Sequence, residues 1–180
     1  MILGSFSTRA QAFEEGNSTI SVGYGFPNLV GAIFNAYETY EQYDAKSLGP
    51  IFGKYEYAVS DNIGVGLNIG YSQTTVTYVL GTYNEEFKYS SLGILARINW
   101  HFGDSDNFDP YAGFGLGYRT GNYTFTSDDP NAQEVTLDTP IPFGMEITVG
   151  SRYFFTDNFG AYAELGFAKA PFQIGLVGKF

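Results

Sequence analysis

Residues 60–72, SDNIGVGLNIGYS, place an apolar side chain at every second position from Ile63 to Tyr71. The positions between them hold only glycine, Asn68 and Ser72. A two-residue period is typical of a β-strand, because its successive side chains point to opposite faces. One face of this strand is therefore apolar and the other is almost empty, whereas a half-exposed soluble strand carries larger polar groups on its second face.

The same period recurs along the chain and predicts eight strands. We expect them at 18–26, 48–59, 63–73, 88–102, 111–120, 141–155, 159–168 and 172–180. Short turns are predicted at 60–62, 103–110 and 156–158, long connections at 27–47, 74–87 and 121–140, and a short last connection at 169–171. This alternation predicts an all-β fold, an eight-stranded antiparallel up-and-down transmembrane β-barrel.

The two faces of the predicted strands differ in charge. The apolar face has no charged residue, and the glycine-rich face carries Lys54, Glu56, Arg97, His101, Arg119, Glu146, Arg152, Glu164 and Lys179. Because the interior of an eight-stranded barrel is just wide enough for side chains, we predict a lumen filled by paired charges and an outer face in lipid. Tyr111 and Tyr162 are expected to add hydrogen bonds, and waters or backbone carbonyls to satisfy the surplus of cations.

A soluble lipocalin-like barrel is the structural alternative. That fold has an apolar cavity and a polar surface, and this sequence in that fold would expose a continuous apolar band to water. One strand breaks the pattern, since Leu48, Pro50 and Phe52 share the alternation of the charged face. We expect a β-bulge near Pro50 or Gly53 to correct the register.

Composition excludes several functions. The net charge of −10 argues against a nucleic-acid partner, and the absence of cysteine excludes disulfides and thiolate metal sites. His101, the single histidine, is interpreted as an interior residue and not as a catalytic one. Asp104, Asp106 and Asp109 are interpreted as a solvated turn and not as a Ca²⁺ loop. We predict no enzyme activity, no cofactor and no metal.

The N-terminal residues contain AQA at 10–12, which fits the small-x-small pattern before a secretory cleavage site. We therefore expect residues 1–12 to be the remnant of a signal peptide and residues 13–180 to form one outer-membrane barrel domain. A disordered N-terminal arm is the alternative.

The first long connection carries an apolar patch that includes Ile33 and Phe34, followed by Tyr37, Tyr40 and Tyr43. Spacing of three predicts one or two helical turns on the barrel rim. Two interpretations stay open, a helix packed over the barrel mouth and a tyrosine-rich recognition surface.

The SDN and TDN turns, the alternating strands and the final segment FQIGLVGKF carry a family resemblance. The chain resembles the small OmpA/OmpX-type outer-membrane barrels of Gram-negative bacteria, in the outer membrane protein beta-barrel domain group. The resemblance implies outer-membrane lipid as surroundings and both termini on the periplasmic side. It also implies that Phe180 is the assembly signal for the barrel-assembly machinery.

We therefore expect a non-enzymatic barrel that supports envelope integrity or binds a surface partner through acidic, tyrosine-rich loops. The ligand or partner stays unknown. The alternative functions are a small-solute pore, a lipid-modifying outer-membrane enzyme and a soluble lipocalin-like carrier.

Overall fold

The computed structural model describes residues 11–35 and 43–180. Within these ranges the chain forms one short helix and ten strands. In chain order they are β1 (Ser18–Phe26), α1 (Leu29–Asn35), β2 (Tyr43–Ser60), β3 (Ile63–Leu80), β4 (Tyr83–His101), β5 (Phe108–Arg119), β6 (Asn122–Ser127), β7 (Val135–Asp138), β8 (Phe143–Phe154), β9 (Phe159–Phe167) and β10 (Phe172–Lys179). Among the described residues, no helix has the length and apolarity to span a membrane.

Eight of these strands close into a barrel in which each neighbouring pair is antiparallel. The order around the barrel is β1, β2, β3, β4, β5, β8, β9 and β10. β1 pairs with β2 on one side and with β10 on the other, where Ile20 lies opposite Gly178. Closure pairs the backbone polar groups between strands, as a lipid environment requires. The predicted eight-stranded antiparallel up-and-down barrel is confirmed.

Side chains alternate between an apolar outer surface and a buried lumen. Glu146 is 1% exposed, and its neighbour Ile147 is 52% exposed. The same alternation runs along β4, where Arg97 is buried and Ile98 is exposed. The prediction that the apolar face points outward is therefore confirmed. In water this surface would be unfavourable, whereas in lipid it matches the surrounding acyl chains.

The register shift predicted in β2 is present between Leu48 and Ile51. It turns Leu48 to the outside, where it is half exposed, and keeps Pro50 buried. Phe52 nevertheless stays inside the lumen. Its ring fits there because Gly70 on the neighbouring strand has no side chain, and a Cβ at that position would lie 3.0 Å from the ring.

The prediction of a long loop at 74–87 is wrong. β3 runs on to Leu80 and β4 starts at Tyr83, so only residues 81–82 form the turn, and Gly81 adopts a φ of 67° there. A positive φ favours glycine, which has no Cβ to clash with the backbone. The β-branched and aromatic residues of 74–80 favour a strand even though both faces carry polar groups.

The connection predicted at 121–140 also differs, because it contains the hairpin of β6 and β7. β6 pairs with residues 85–90 of β4, where Phe87 lies opposite Phe125, and β7 pairs with β6. β2, β3 and β4 extend beyond the residues that pair with β1 and β5. Residues 43–48, 74–80 and 83–90 together with β6 and β7 form a five-stranded extension beyond the barrel, called here the protruding sheet.

The short helix α1 packs against the protruding sheet. Asn28 caps it by accepting a hydrogen bond from the backbone N–H of Gly31 at 3.0 Å. The rings of Phe34 and Phe87 are 5.4 Å apart, and the Tyr43 hydroxyl donates to the Phe34 carbonyl at 3.1 Å. The predicted helical turns are present over seven residues, whereas the placement of Tyr43 in the same connection at 27–47 is wrong because Tyr43 begins strand β2. Tyr37 and Tyr40 lie outside the described residues.

Residues 11–17 cover the barrel end that carries the turns 61–62, 102–107 and 155–158, called here the short-turn end. The backbone N–H of Ala12 donates to the Ser105 carbonyl at 3.1 Å, and that of Gly16 to the Ala58 carbonyl at 3.0 Å. Ala12 is buried against Phe154 and Val177. Two residues of the predicted signal remnant, 11 and 12, take part in this packing. The rest of that remnant, residues 1–10, lies outside the described residues.

Candidate functional site

The charged side chains of the lumen lie in three groups, stacked from the short-turn end to the opposite end. The lower cluster contains His101, Glu56, Asp109 and Arg152. The middle cluster contains Lys54, Arg97, Glu146, Glu164 and Tyr111. The upper pair is Arg119 and Lys169, at the end from which the protruding sheet extends.

The lower cluster is centred on His101. Its Nδ1 lies 2.7 Å from Oδ1 of Asp109, and its Nε2 lies 2.8 Å from Oε1 of Glu56. The Arg152 guanidinium donates to the second oxygen of each carboxylate, to Glu56 at short range and to Asp109 at 3.4 Å. All four side chains are buried. Burial of such charges is tolerable because each one meets an opposite charge and a hydrogen bond.

Asp109 corrects the interpretation of 103–110 as a solvated turn. It lies in β5, opposite Arg152 on β8, and it is 1% exposed. The preceding turn begins earlier, at 102, so the strand starts at Phe108 and directs Asp109 inward. Asp109 lies two residues before Tyr111, and alternation along the strand already places Tyr111 in the lumen. The same alternation could have identified Asp109 as a lumen residue.

The middle cluster is held together by Glu164 and Arg97. Arg97 donates from Nη2 to Oε1 of Glu164 at 2.8 Å and from Nη1 to Oε1 of Glu146 at 3.1 Å. Lys54 reaches Oε2 of Glu164 at 2.7 Å, and the Tyr111 hydroxyl donates to its Oε1 at 2.7 Å. The cluster therefore links β2, β4, β5, β8 and β9 across the lumen.

Amide and hydroxyl groups complete the middle cluster. The Asn68 amide donates to Oε2 of Glu146 at 2.8 Å, and Arg97 Nε donates to Asn99 at 2.7 Å. Tyr162 was expected to add a hydrogen bond, but its hydroxyl has no partner among the described residues. Its ring instead lies 4.6 Å from Nζ of Lys54, where a cation–π contact stabilises the charge.

The glycines of the lumen make room for these side chains. A Cβ at Gly150 would lie 2.6 Å from Cγ of Glu164, and one at Gly115 would lie 2.8 Å from Cγ of Glu146. Both distances are shorter than a carbon–carbon contact allows. At 60–72 the same holds for Gly64, where a Cβ would lie 2.8 Å from Cγ of Glu56, so the empty face of this strand is space that the charged network occupies.

The structure places two of the predicted lumen cations away from carboxylates. Lys179 donates from Nζ to the Gln11 carbonyl at 2.9 Å and lies 4.8 Å from the Phe154 ring centroid. Arg119 approaches the Met145 carbonyl at 3.5 Å. Lys169, which the sequence did not single out, lies beside Arg119 and donates to Ser91. Lys169 follows β9 in a four-residue connection, and no strand alternation pointed to it.

The arrangement serves packing and charge neutralisation. Both nitrogens of His101 are engaged, and its ring is covered by Phe13. Two voids in the lumen have volumes of about 10 Å³ each, enough for about one water molecule. Among the described residues, no group of three or more His, Cys, Asp or Glu side chains has a geometry that fits a metal ion.

The chain ends on the outer surface of the barrel. Phe180 is exposed and exchanges two backbone hydrogen bonds with Ser18, at 2.8 and 3.0 Å. Ile174 and Leu176 on the same strand also face outward. The terminal aromatic therefore continues the lipid-facing row of β10, and its role as an assembly signal stays a prediction.

Comparisons with known proteins agree with this architecture. A family model described as "Outer membrane protein beta-barrel domain" matches residues 1–173. The attachment invasion locus protein Ail of Yersinia pestis, solved with the heparin analogue sucrose octasulfate, matches with a TM-score of 0.54 and 18% identity, covering 92% of this chain and 99% of that one.

The outer membrane protein OprG of Pseudomonas aeruginosa matches with a TM-score of 0.50 and 15% identity, covering 94% of this chain and 98% of that one. No curated protein matches the sequence. At these identities the solved structures show a shared fold and nothing finer.

Proposed function

The chain belongs to the outer membrane protein beta-barrel domain family, and we propose that it is a non-enzymatic outer-membrane barrel that binds a surface partner through its protruding sheet. In this proposal the lumen is sealed and serves only stability. The short-turn end and both termini face the periplasm, and Phe180 is recognised by the barrel-assembly machinery. The protruding sheet then extends outward from the cell.

The observation that carries the proposal is the free edge of β7. β7 pairs with β6 on one side, and among the described residues no strand pairs with its other side. An unpaired edge offers a row of backbone N–H and C=O groups to an incoming extended segment, which adds as a further strand. Val135 and Leu137 are exposed there and supply apolar contacts at alternate positions.

The charge around β7 favours a basic partner. The loop before this strand carries Asp128, Asp129 and Glu134, and the strand ends at Asp138. Asp128, Asp129 and Asp138 accept hydrogen bonds within the sheet or loop, and all four residues except the half-buried Asp129 are exposed. Because opposite charges steer association, we expect an extended segment rich in Lys and Arg to bind fastest.

The structure of the lumen argues against a pore and against an enzyme. A pore needs a continuous wet path, and here charged side chains cross the lumen and leave voids of single-water size. An enzyme of this architecture needs an accessible acid, base or nucleophile, and His101 is buried beneath Phe13. Envelope support alone remains compatible with the barrel but does not use the exposed edge.

Selection from a peptide library tests the proposal. A library of extended peptides with alternating basic and apolar residues is selected on the purified protein in detergent micelles. Wild-type protein is expected to enrich peptides, and the double variant Val135→Lys, Leu137→Lys is expected to lose them, because charged side chains on an edge discourage strand addition.

The matched control is Leu80→Lys. Leu80 is 66% exposed and lies at the tip of the same sheet, away from the β7 edge, whereas Leu137 is 62% exposed. Enrichment should survive this substitution. Equal loss in the control and the double variant, or no enrichment by the wild type, would reject recognition through β7.

A further inference from the structure

Lys169 crosses the barrel mouth at the end where the protruding sheet begins. It lies between β9 and β10, and its Nζ donates to the carbonyl of Ser91 at 3.1 Å and to the Ser91 hydroxyl at 2.6 Å. Ser91 belongs to β4, which is separated from β10 by β1, β2 and β3. The side chain therefore spans the opening and attaches the last connection to the opposite wall.

Arg119, at the end of β5, points into the same space. Its Nε lies 3.8 Å from the position that a Cβ of Gly93 would occupy, and Cε of Lys169 lies 3.7 Å from that position. Two cationic side chains thus converge above one glycine. The Arg119 Nε is buried and has no hydrogen-bond partner among the described residues.

The upper pair differs from the lumen cations that form ion pairs with carboxylates. Lys54, Arg97 and Arg152 each have a carboxylate oxygen within 3.4 Å. Among residues 11–35 and 43–180, no carboxylate forms an ion pair with Arg119 or Lys169. Glu146 lines the same void, but Arg97 and Asn68 already occupy its two oxygens.

These surroundings lower the pKa of Lys169. Burial, and after it the charge of Arg119, lower the pKa of Lys169 to about 8. At neutral pH most molecules would still hold two adjacent positive charges at a half-buried site. An unpaired buried donor and two like charges together are unfavourable unless a negative charge joins them.

We infer that the upper pair is an anion-binding site for a single small anion of about the size of chloride, held between Arg119 Nε and Lys169 Nζ. The void beside the two cations has room for about one water-sized particle, so the site takes a single monatomic anion and no polyatomic one. Gly70, Gly93 and Lys169 line this void together with Phe52 and Leu95. A larger oxyanion would have to displace the Lys169 side chain from Ser91.

The site gives the last connection a second fixed point, because the bound anion ties Lys169 to β5 as well as to β4. Anion binding also favours the protonated amine, so affinity should fall as the pH rises past the pKa of Lys169. The groups that face this amine are Arg119, Ser91 and the already paired Glu146.

Bromide is the probe for the test, because it replaces chloride and scatters X-rays anomalously. Crystals of the protein grown with sodium bromide are expected to show one anomalous peak between Arg119 Nε and Lys169 Nζ. In detergent at neutral pH and constant ionic strength, Tm should be higher in chloride or bromide than in gluconate.

Lys169→Met keeps the length of the side chain and removes its charge, and it should abolish both the peak and the anion-dependent rise in Tm. Lys46→Met, at an exposed residue of the same barrel end, should leave both unchanged. A map with no peak in the wild type, or a rise in Tm that persists in Lys169→Met, overturns the inference. A larger rise with phosphate or sulfate than with chloride overturns the assigned size of the anion.

Discussion

Phe13 lies flat on the imidazole ring of His101, with ring centroids 3.5 Å apart and planes inclined by 4°. The stacked ring lies at the short-turn end of the barrel, where residues 11–17 are fixed by backbone hydrogen bonds to Ser105 and Ala58. Beneath it His101 is held between two carboxylates. The N-terminal segment therefore closes the lumen at this end and keeps water from the lower cluster.

Phe13→Ala should open the short-turn end while the barrel stays folded. His101 is the single histidine of the chain, so the N-carbethoxyhistidine absorbance that appears on treatment with diethyl pyrocarbonate reports on it alone. We expect faster modification in Phe13→Ala than in the wild type. Phe102→Ala, which removes an outward aromatic next to His101, should leave the rate unchanged. Equal rates in Phe13→Ala and wild type would show that Phe13 does not seal the lumen.

The outer face predicts a position-dependent cost of charge. Leu67→Arg should destabilise the barrel by ~2–4 kcal/mol if Leu67 lies near the bilayer midplane. Leu80→Arg, at the tip of the protruding sheet, should cost much less because its side chain stays in water. Urea unfolding in lipid vesicles measures both. A Leu67→Arg variant as stable as Leu80→Arg would place this part of β3 outside the membrane.

The middle cluster predicts strong coupling between charges. Glu164→Gln leaves Lys54 with no carboxylate and Arg97 with only Glu146, a loss of ~3–5 kcal/mol for a well-buried pair. Adding Lys54→Met should recover part of that loss. Glu134→Gln, at an exposed loop residue, is the control and should change little. Strictly additive effects of Glu164→Gln and Lys54→Met in unfolding would mean that the two side chains do not interact.

Lys169 predicts how stability changes with pH. Its folded-state pKa, about 8, is below the unfolded value, so between these values the unfolded chain binds more protons. Stability should therefore rise as the pH increases from neutral to about 10 in a buffer with gluconate as the anion. Lys169→Met should lose this contribution. A wild type and a Lys169→Met variant with parallel pH profiles would contradict the burial of the amine.

The barrel was predictable because its strands repeat one physical pattern. Alternation from Ile63 to Tyr71 separates an apolar face from a glycine face, and an eight-stranded barrel of this polarity fits only a membrane. The bulge in β2 was predictable for the same reason, since Leu48 broke the alternation. The extension of β3 and β4 through 74–87 was not, because strands in water carry polar groups on both faces.

The lumen contacts were predictable by type but not by partner. Alternation assigns Arg97 and Glu164 to the same interior, yet which cation meets which carboxylate depends on strand tilt and register. Asp109 escaped prediction because the start of β5 was placed at Tyr111. Lys169 escaped because it belongs to a short connection, and its position across the barrel mouth follows from tertiary packing alone.

In the orientation proposed above, the protruding sheet faces outward from the cell and the short-turn end faces the periplasm. The sequence has no cysteine, so single cysteines report position without background. Thr82→Cys lies in the turn between β3 and β4, and Asp157→Cys lies in the turn between β8 and β9. The decisive measurement is labelling of intact cells with a membrane-impermeant maleimide. We expect labelling at residue 82 on intact cells and at residue 157 only after lysis, and the reverse pattern would contradict this orientation.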